Sequence, residues 1–293
     1  MSGPAATGSS PVGEALARAG AALAAVSDTP RLDAELLLAH ALGIERGALL
    51  LGTRDRAVPP GFDALVARRL AHEPVAYITG RRDFWTIDLA VTPAVLIPRP
   101  DSETLIEAAA AHFGARSPAR VLDLGTGSGA LLLAALAHWP QATGVGVDAS
   151  AAAVAVAAAN AARLKMAARA TIVPGGWAWA ADGGYDLVLC NPPYIAAGTP
   201  LPREVALHEP ASALYAGADG LDDYRAIVPR LRLPPGGIAC FEIGSTQGPP
   251  VAALGRAHGF LIQVSKDLGG HDRCVAMTPN SPRFPLGIDR ATD

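Results

Sequence analysis

The chain has 293 residues, of which 50% are hydrophobic, so it can bury a sizeable core in one large domain or two smaller ones. Its net charge of −3 and pI of about 6.2 argue against an affinity dominated by phosphate contacts, and we expect no stable binding to nucleic acid. The sequence has no apolar run long enough to span a membrane, no N-terminal signal pattern, and no metal-ligand spacing among its 7 histidines and 3 cysteines. We therefore expect a cytoplasmic protein without a membrane segment or a metal site.

The N-terminal quarter of the chain contains no convincing strand. Residues 1–12 are small and polar, and we expect them to be disordered. Beyond them, Leu16, Leu23 and Val26 follow helical spacing, and a leucine-rich segment after them does the same. Residues 13–73 therefore predict a bundle of about four helices.

The remainder of the chain predicts a hairpin followed by an α/β domain. Residues 74–94 are rich in β-favouring side chains and predict a β-hairpin linker. In residues 95–278, apolar segments alternate with helical segments, which is typical of a doubly wound, mostly parallel sheet whose last two strands pair antiparallel. Residues 279–293 predict a loose tail. The seven strands are expected at 119–123, 143–147, 170–173, 185–190, 237–243, 260–264 and 273–278.

A glycine-rich turn between a strand and a helix indicates a nucleotide-like ligand. Residues 121–130 read Val-Leu-Asp-Leu-Gly-Thr-Gly-Ser-Gly-Ala, and glycines let the backbone approach a ligand closely. The G-x-G-x-G spacing differs from a dinucleotide fingerprint and disfavours a dehydrogenase. Asp123, in the strand before the turn, is either a cofactor-side acid or a cap of the turn. Asp148 ends the next strand about 20 residues on, where an acid can hold two ribose hydroxyls.

The tetrapeptide Asn-Pro-Pro-Tyr at residues 191–194 follows an apolar strand segment. Two prolines cannot continue a sheet, so Asn191 is expected at the carboxyl end of a strand, where open α/β sheets bind ligands. The Asn191 side-chain oxygen and the Pro192 carbonyl are two neutral acceptors on a stiff turn. They suit the task of holding an NH2 group by both hydrogens. The alternative interpretation is a proline-rich turn with a capping asparagine.

The glycine turn, the second acid and the tetrapeptide together resemble the class I S-adenosylmethionine-dependent methyltransferases, and the tetrapeptide resembles members that methylate amino or amide groups. Other segments resemble the release factor glutamine methyltransferases of bacteria and organelles over about residues 14–278. Those segments are His-Glu-Pro-Val-Ala-Tyr-Ile-Thr-Gly at 72–80, Ile-Pro-Arg-Pro-Asp-Ser-Glu at 97–103, Asp-Gly-Leu-Asp-Asp-Tyr-Arg at 219–225, Phe-Glu-Ile-Gly at 241–244 and Asp-Leu-Gly-Gly-His-Asp-Arg at 267–273. The family implies a Rossmann-like sheet, S-adenosyl-L-methionine as cofactor, and methylation at N5 of the glutamine in the Gly-Gly-Gln motif of peptide chain release factors.

The resemblance also implies roles for individual residues. The glycine turn would lie against the methionine part of the cofactor, Asp148 would hold its ribose, and Trp177 would stack on its adenine. Tyr194 would pack against the planar amide of the substrate, and the helical bundle of a monomeric enzyme would dock the release factor. The implied catalytic residues are Asn191, Pro192, Pro193 and Tyr194, and the implied cofactor-binding residues are Asp123, Gly125, Thr126, Gly127, Ser128, Gly129, Asp148, Trp177 and Asn191.

One departure from the family pattern and several alternatives stay open. Gly176 stands where the family usually has an acid before the tryptophan, and a carboxylate such as Asp182 would have to replace it. Glu242 and Gln247 match family positions but suit a structural role equally well, and Arg99 either organises the site entrance or is a surface arginine. The alternatives are a glutamine methyltransferase of a large-subunit ribosomal protein, a nucleic-acid amino-methyltransferase, and a cofactor-binding module without catalysis.

Overall fold

The computed structural model describes residues 11–52 and 56–280, which form two compact units. The unit boundaries differ from the predicted linear division, because a segment that follows the Asn-Pro-Pro-Tyr tetrapeptide belongs with the N-terminal helices. Among the described residues, the helical unit comprises those up to Arg82 with Ala90–Ile97 and Pro200–Ala211, and the sheet unit comprises Asp83–Leu89, Pro98–Thr199 and the residues from Ser212 to Asn280.

The helical unit contains six helices in its described residues, of which the last comes from the later segment. The first begins at Pro11, where the fixed φ of proline suits a first helical turn, and Val12 is buried in the core. The prediction of disorder is therefore wrong for residues 11 and 12, whereas residues 1–10 lie outside the described parts of the chain. The helices are α1 (Pro11–Leu23), α2 (Pro30–Leu42), α3 (Arg46–Gly52), α4 (Phe62–Leu70), α5 (Val75–Thr79) and α9 (Arg203–His208).

A buried ion pair lies within the helical unit. The Arg69 guanidinium on α4 donates to Asp33 on α2 at 2.8 Å and pairs with Glu204 on α9 at 2.9 Å. The side chains of Arg69 and Asp33 are almost fully buried, so each charge depends on the other for its stability. The contact between Arg69 and Glu204 fixes the segment Pro200–Ala211 to the N-terminal helices.

The predicted hairpin at residues 74–94 is wrong over its first part. Val75–Thr79 forms α5, which ends at Gly80 in the left-handed conformation (φ 71°), and the hairpin follows with β1 (Arg81–Phe84) and β2 (Ile87–Ala90). The reason is tertiary packing, since Tyr77 and Ile78 are buried and the Tyr77 hydroxyl donates to the Val95 carbonyl at 2.6 Å. Packing of this kind overrides a local preference for strand.

The sheet unit is built on a seven-stranded sheet with the order β5-β4-β3-β6-β7-β9-β8. All pairs are parallel except those of β9, which runs antiparallel to β7 and to β8. The predicted fold class is confirmed, and every strand end lies within two residues of its predicted position. The strands are β3 (Arg120–Leu124), β4 (Thr143–Asp148), β5 (Ala170–Pro174), β6 (Leu187–Cys190), β7 (Ile238–Glu242), β8 (Phe260–Lys266) and β9 (Asp272–Pro279).

Helices cover both faces of the central strands of the sheet. Leu187 and Leu189 of β6 belong to one apolar cluster, whereas Val188 and Cys190 belong to another. This alternation shows that β6 is buried on both sides, which is why its sequence reads as a continuous apolar run. The helices are α6 (Glu103–Phe113), α7 (Ala130–His138), α8 (Ala151–Arg163), α10 (Asp222–Ile227) and α11 (Gly248–Ala257).

Candidate active site

The two sequence motifs meet at the point where the strand order of the sheet reverses. From β3 the chain proceeds to β4 and β5 on one side, then returns to β6 on the other side of β3. In the β3–β6 pair, Leu124 lies opposite Cys190, so the glycine turn and Asn191 leave the sheet side by side. Open α/β sheets bind ligands in the crevice at such a switch point.

The glycine turn is shaped by left-handed backbone. Gly127 has φ of 54°, and a Cβ added there would meet nothing within 4 Å, so this residue faces open space. Its N–H donates to the Asp148 carboxylate at 2.9 Å. Behind the turn, the buried Asn160 side chain donates to the Ser128 carbonyl at 2.9 Å. The turn therefore presents free space and backbone on one side while being held from the other.

Asp123 lies beneath the turn and is fully buried. Its Oδ2 accepts from the Thr126 hydroxyl at 2.6 Å and from the Leu132 N–H at 3.2 Å, whereas its Oδ1 has no hydrogen-bond partner among the described residues. Burial raises the pKa of Asp123 to about 7, although the Thr126 hydrogen bond acts in the opposite direction. These contacts are those of the turn-capping carboxylate that the sequence left as the alternative, and the unpartnered oxygen remains able to accept a further hydrogen bond.

Asp148 ends β4 and is half-buried beside the turn. Its Oδ2 accepts from Gly127, and its Oδ1 accepts from the Ser150 N–H at 2.9 Å. A carboxylate has about four acceptor positions, so these two bonds orient the group and leave lone pairs for ligand hydroxyls.

Trp177 lies beside the first glycine of the turn. A Cβ added to Gly125 would come within 3.2 Å of the Trp177 Cη2 atom. The indole N–H donates to the Asp223 carboxylate at 2.7 Å, and burial raises the pKa of Asp223. The carboxylate that contacts Trp177 is therefore Asp223, not the exposed Asp182. Sequence reasoning missed Asp223 as a site residue, although it lies within the Asp-Gly-Leu-Asp-Asp segment.

The tetrapeptide leaves two acceptors available. The Asn191 Nδ2 donates to the Ser102 hydroxyl at 3.3 Å. Within the described residues, neither the Asn191 Oδ1 nor the Pro192 carbonyl accepts a hydrogen bond. Pro192 is buried and Pro193 is half-buried, so the pair of prolines is held by packing as well as by its own stiffness.

Gln247 holds the backbone of the tetrapeptide. Its Nε2 donates to the carbonyl of Tyr194 at 2.9 Å and to that of Gly220 at 3.2 Å, and its Oε1 accepts from the Gly244 N–H at 2.9 Å. A single side chain thus joins three segments of backbone. The contacts of Gln247 are structural, and they position the residues that face the crevice.

Glu242 is the hub of a buried polar cluster behind Asn191. Its two oxygens accept from the Ser102 hydroxyl and from the Tyr194 hydroxyl, the latter at 3.2 Å, and its backbone carbonyl accepts from Tyr224 at 2.6 Å. Burial raises the pKa of Glu242 to about 7, although the Ser102 hydrogen bond and the positive charge of Arg273 act in the opposite direction. The sequence alone assigned no role to Ser102, although this residue lies in the Pro-Arg-Pro-Asp-Ser-Glu segment.

Burial and nearby charges shift the pKa of the Tyr194 hydroxyl. Burial and the negative charge of Glu242 raise the pKa of Tyr194, whereas the charge of Arg99 lowers it, so Arg99 lies within electrostatic reach of the site.

In the parts of the chain that the structure describes, no group of three or more His, Cys, Asp or Glu side chains could hold a metal ion. None of the helices described is both long and apolar enough to cross a membrane.

The sheet order and the two motifs at its switch point define a methyltransferase. The family model described as the methyltransferase small domain matches residues 101–206, and the model described as the PrmC N-terminal domain matches residues 14–80. The same fold occurs in the catalytic domain of hMettl16, crystallised with MAT2A 3'UTR hairpin 6, with a TM-score of 0.54 and 15% identity over 76% of this chain and 84% of that one.

Curated relatives identify the family within this class. The release factor glutamine methyltransferase of Rhodospirillum rubrum is 43% identical over 274 residues, covering 89% of this chain and 83% of the relative. The protein of the same name from Cereibacter sphaeroides is 45% identical over 261 residues, covering 86% and 92%. The chain belongs to the release factor glutamine methyltransferase family.

Proposed function

We propose that this protein transfers a methyl group from S-adenosyl-L-methionine to the side-chain amide nitrogen, N5, of the glutamine in the Gly-Gly-Gln motif of peptide chain release factors. The observation that carries the proposal is the pair of available acceptors on the Asn-Pro-Pro-Tyr turn, the Asn191 Oδ1 and the Pro192 carbonyl. A primary amide offers two N–H hydrogens that such a pair can accept. Membership of a family named for this reaction supports the choice of substrate.

The residues around the glycine turn fit the cofactor. Gly127 faces open space, one oxygen of Asp123 has no hydrogen-bond partner in the described parts of the chain, and Asp148 retains acceptor positions beside the turn. We assign contact with the cofactor to the turn from Gly125 to Gly129, ribose binding to Asp148, and adenine stacking to Trp177. When bound, S-adenosyl-L-methionine supplies a methyl group attached to a positively charged sulfur, which makes that methyl electrophilic.

The protein's own residues must compensate for a poor nucleophile. The lone pair of an amide nitrogen is delocalised into the carbonyl group, which makes the nitrogen a poor nucleophile. Because Asn191 and Pro192 hold both N–H hydrogens, the nitrogen lone pair is directed away from these two residues. Orientation of this kind supplies much of the rate in group transfer. As the bond between the amide nitrogen and the methyl carbon forms, the bond from that carbon to the cofactor sulfur would break and leave its electron pair on sulfur. Positive charge develops on nitrogen, the two oxygens stabilise it, and one N–H proton is then lost to water. Tyr194 packs against the amide plane, with its hydroxyl fixed by Glu242.

Substrate selection belongs to the helical unit. The match of the PrmC N-terminal domain to residues 14–80 supports a docking role for this unit. A Gly-Gly-Gln loop is narrow enough to enter a crevice in extended form, so the helices decide which protein presents it. We expect the enzyme to act as a monomer in the cytoplasm.

Methyl transfer from labelled S-adenosyl-L-methionine tests the proposal. Purified release factor, large-subunit ribosomal protein and duplex DNA serve as substrates, each with the wild-type enzyme and with Asn191→Ala. A release factor carrying Gly-Gly-Asn in place of Gly-Gly-Gln is the matched control. Label on the release factor alone, lost with either change, is the expected result, whereas label on the ribosomal protein or DNA would overturn the substrate assignment.

A further inference from the structure

A chain of polar side chains lies behind the acceptor that faces the substrate. Glu242 accepts from the Ser102 hydroxyl, and the Ser102 oxygen in turn accepts from the Asn191 Nδ2 at 3.3 Å. Ser102 is 3% exposed and Glu242 is 1% exposed, so solvent does not compete for these bonds. Ser102 is 89 residues from Asn191 and 140 residues from Glu242 along the sequence.

The chemistry of the three groups determines which of them donates and which accepts in each hydrogen bond. An ionised carboxylate only accepts hydrogen bonds, and a serine hydroxyl has one hydrogen to donate. The hydrogen of Ser102 goes to Glu242, so its oxygen can only accept from Asn191. The Asn191 side chain must therefore turn its NH2 group toward Ser102 and its oxygen away from it. A carboxamide rotated by half a turn would present donors to the donors of the substrate amide.

We propose that Glu242 and Ser102 are positioning residues that fix the Asn191 carboxamide with its oxygen toward the substrate nitrogen. The proposal deepens the proposed function and rests on it. Both residues lie on elements separate from the tetrapeptide, Ser102 at the start of α6 and Glu242 at the end of β7. The sheet unit thereby determines whether the oxygen or the NH2 group of the Asn191 carboxamide faces the substrate.

A double-mutant cycle between Ser102 and Asn191 tests the proposal. At pH 8, above the pKa of about 7 to which burial raises Glu242, we expect Ser102→Ala to lower kcat about tenfold, as for the loss of a buried hydrogen bond. The KM for release factor stays within about twofold, because docking lies elsewhere. In an Asn191→Ala background, Ser102→Ala produces no further loss, because Ser102 acts through Asn191.

Further variants separate positioning from a general structural role. Ser102→Thr keeps the hydroxyl and is expected to retain at least about half of kcat. Glu242→Gln keeps the shape but replaces a carboxylate that only accepts with a carboxamide that also donates, and should lower kcat about tenfold; only the part of this loss that acts through Ser102, and not the part that acts through Tyr194, should disappear in Asn191→Ala. Thr104→Val, which removes a buried hydroxyl two residues along the same helix, is the control. Urea unfolding of every variant reports whether it folds.

Three outcomes would overturn the inference. The first is that Ser102→Ala leaves kcat unchanged, and the second is that it costs as much in the Asn191→Ala background as in the wild type. The third is that Ser102→Thr falls as far as Ser102→Ala while unfolding like the wild type. Failure of the proposed function is distinguishable, because the wild-type enzyme would then fail to methylate the release factor, or Asn191→Ala alone would leave that methylation intact.

Discussion

Alanine substitutions in the glycine turn separate cofactor binding from backbone strain. At Gly127 the backbone has φ of 54°, which destabilises the folded state of an alanine variant by about 1–2 kcal/mol. The lower conformational entropy of the variant's unfolded chain offsets about 0.4–1 kcal/mol of this loss. Because the added Cβ meets nothing within 4 Å, no clash adds to this cost, and Gly127→Ala should fold with a free energy of unfolding lowered by about 1 kcal/mol. The same Cβ enters the open space assigned to the cofactor, so affinity for S-adenosyl-L-methionine should fall at least about tenfold.

Gly125→Ala has the same backbone cost and a contact in addition. Its Cβ would lie 3.2 Å from the Trp177 Cη2 atom, and Trp177 is held by Asp223 at 2.7 Å. Overpacking against a held ring adds about 1–3 kcal/mol, so this variant should be less stable than Gly127→Ala.

A control and two measurements complete this test. Gly259, at the turn between α11 and β8, has φ of 84° and open space around its added Cβ, so Gly259→Ala carries the backbone cost alone. Calorimetry measures the affinity for S-adenosyl-L-methionine, and urea unfolding measures stability. Normal cofactor affinity in Gly127→Ala, or an equal loss of affinity in Gly259→Ala, would refute the assignment of the turn to the cofactor.

Three further predictions concern charge and packing. The pKa of Asp123 is about 7 when folded against about 3.9 when unfolded, so between these pH values only the folded protein holds the proton and stability falls as pH rises. The free energy of unfolding of Asp123→Asn should therefore fall less between pH 5 and pH 8 than that of the wild type. If urea unfolding at the two pH values shows the same fall for both proteins, the burial argument is contradicted. Arg69→Met should lower the free energy of unfolding by about 3–5 kcal/mol, because Asp33 is left as a buried unpaired charge, and adding Asp33→Leu should recover most of the loss. Gln247→Leu removes the bonds to the Tyr194 and Gly220 carbonyls and should reduce kcat with little change in cofactor affinity, so a loss confined to cofactor binding in calorimetry would count against its assigned role.

The sequence by itself determined the sheet and the local shape of the two motifs. Seven largely apolar segments predicted seven strands, and the signal is strongest for a central parallel strand such as β6, which is apolar throughout because both of its faces are buried. The glycines and prolines predicted turns at the carboxyl ends of β3 and β6, since these residues restrict or widen the backbone wherever they stand. These features depend on neighbours along the chain, which the sequence displays directly.

Only the tertiary structure decided which residues support the site. The hydrogen bonds of Ser102 to Glu242 and of Trp177 to Asp223 join residues 140 and 46 positions apart, and they exist because strand order and register bring those positions together. The same holds for the helix at Val75–Thr79, where burial overrode a local preference for strand. Sequence periodicity records which face of an element is apolar, but it does not record which distant polar group that element will meet.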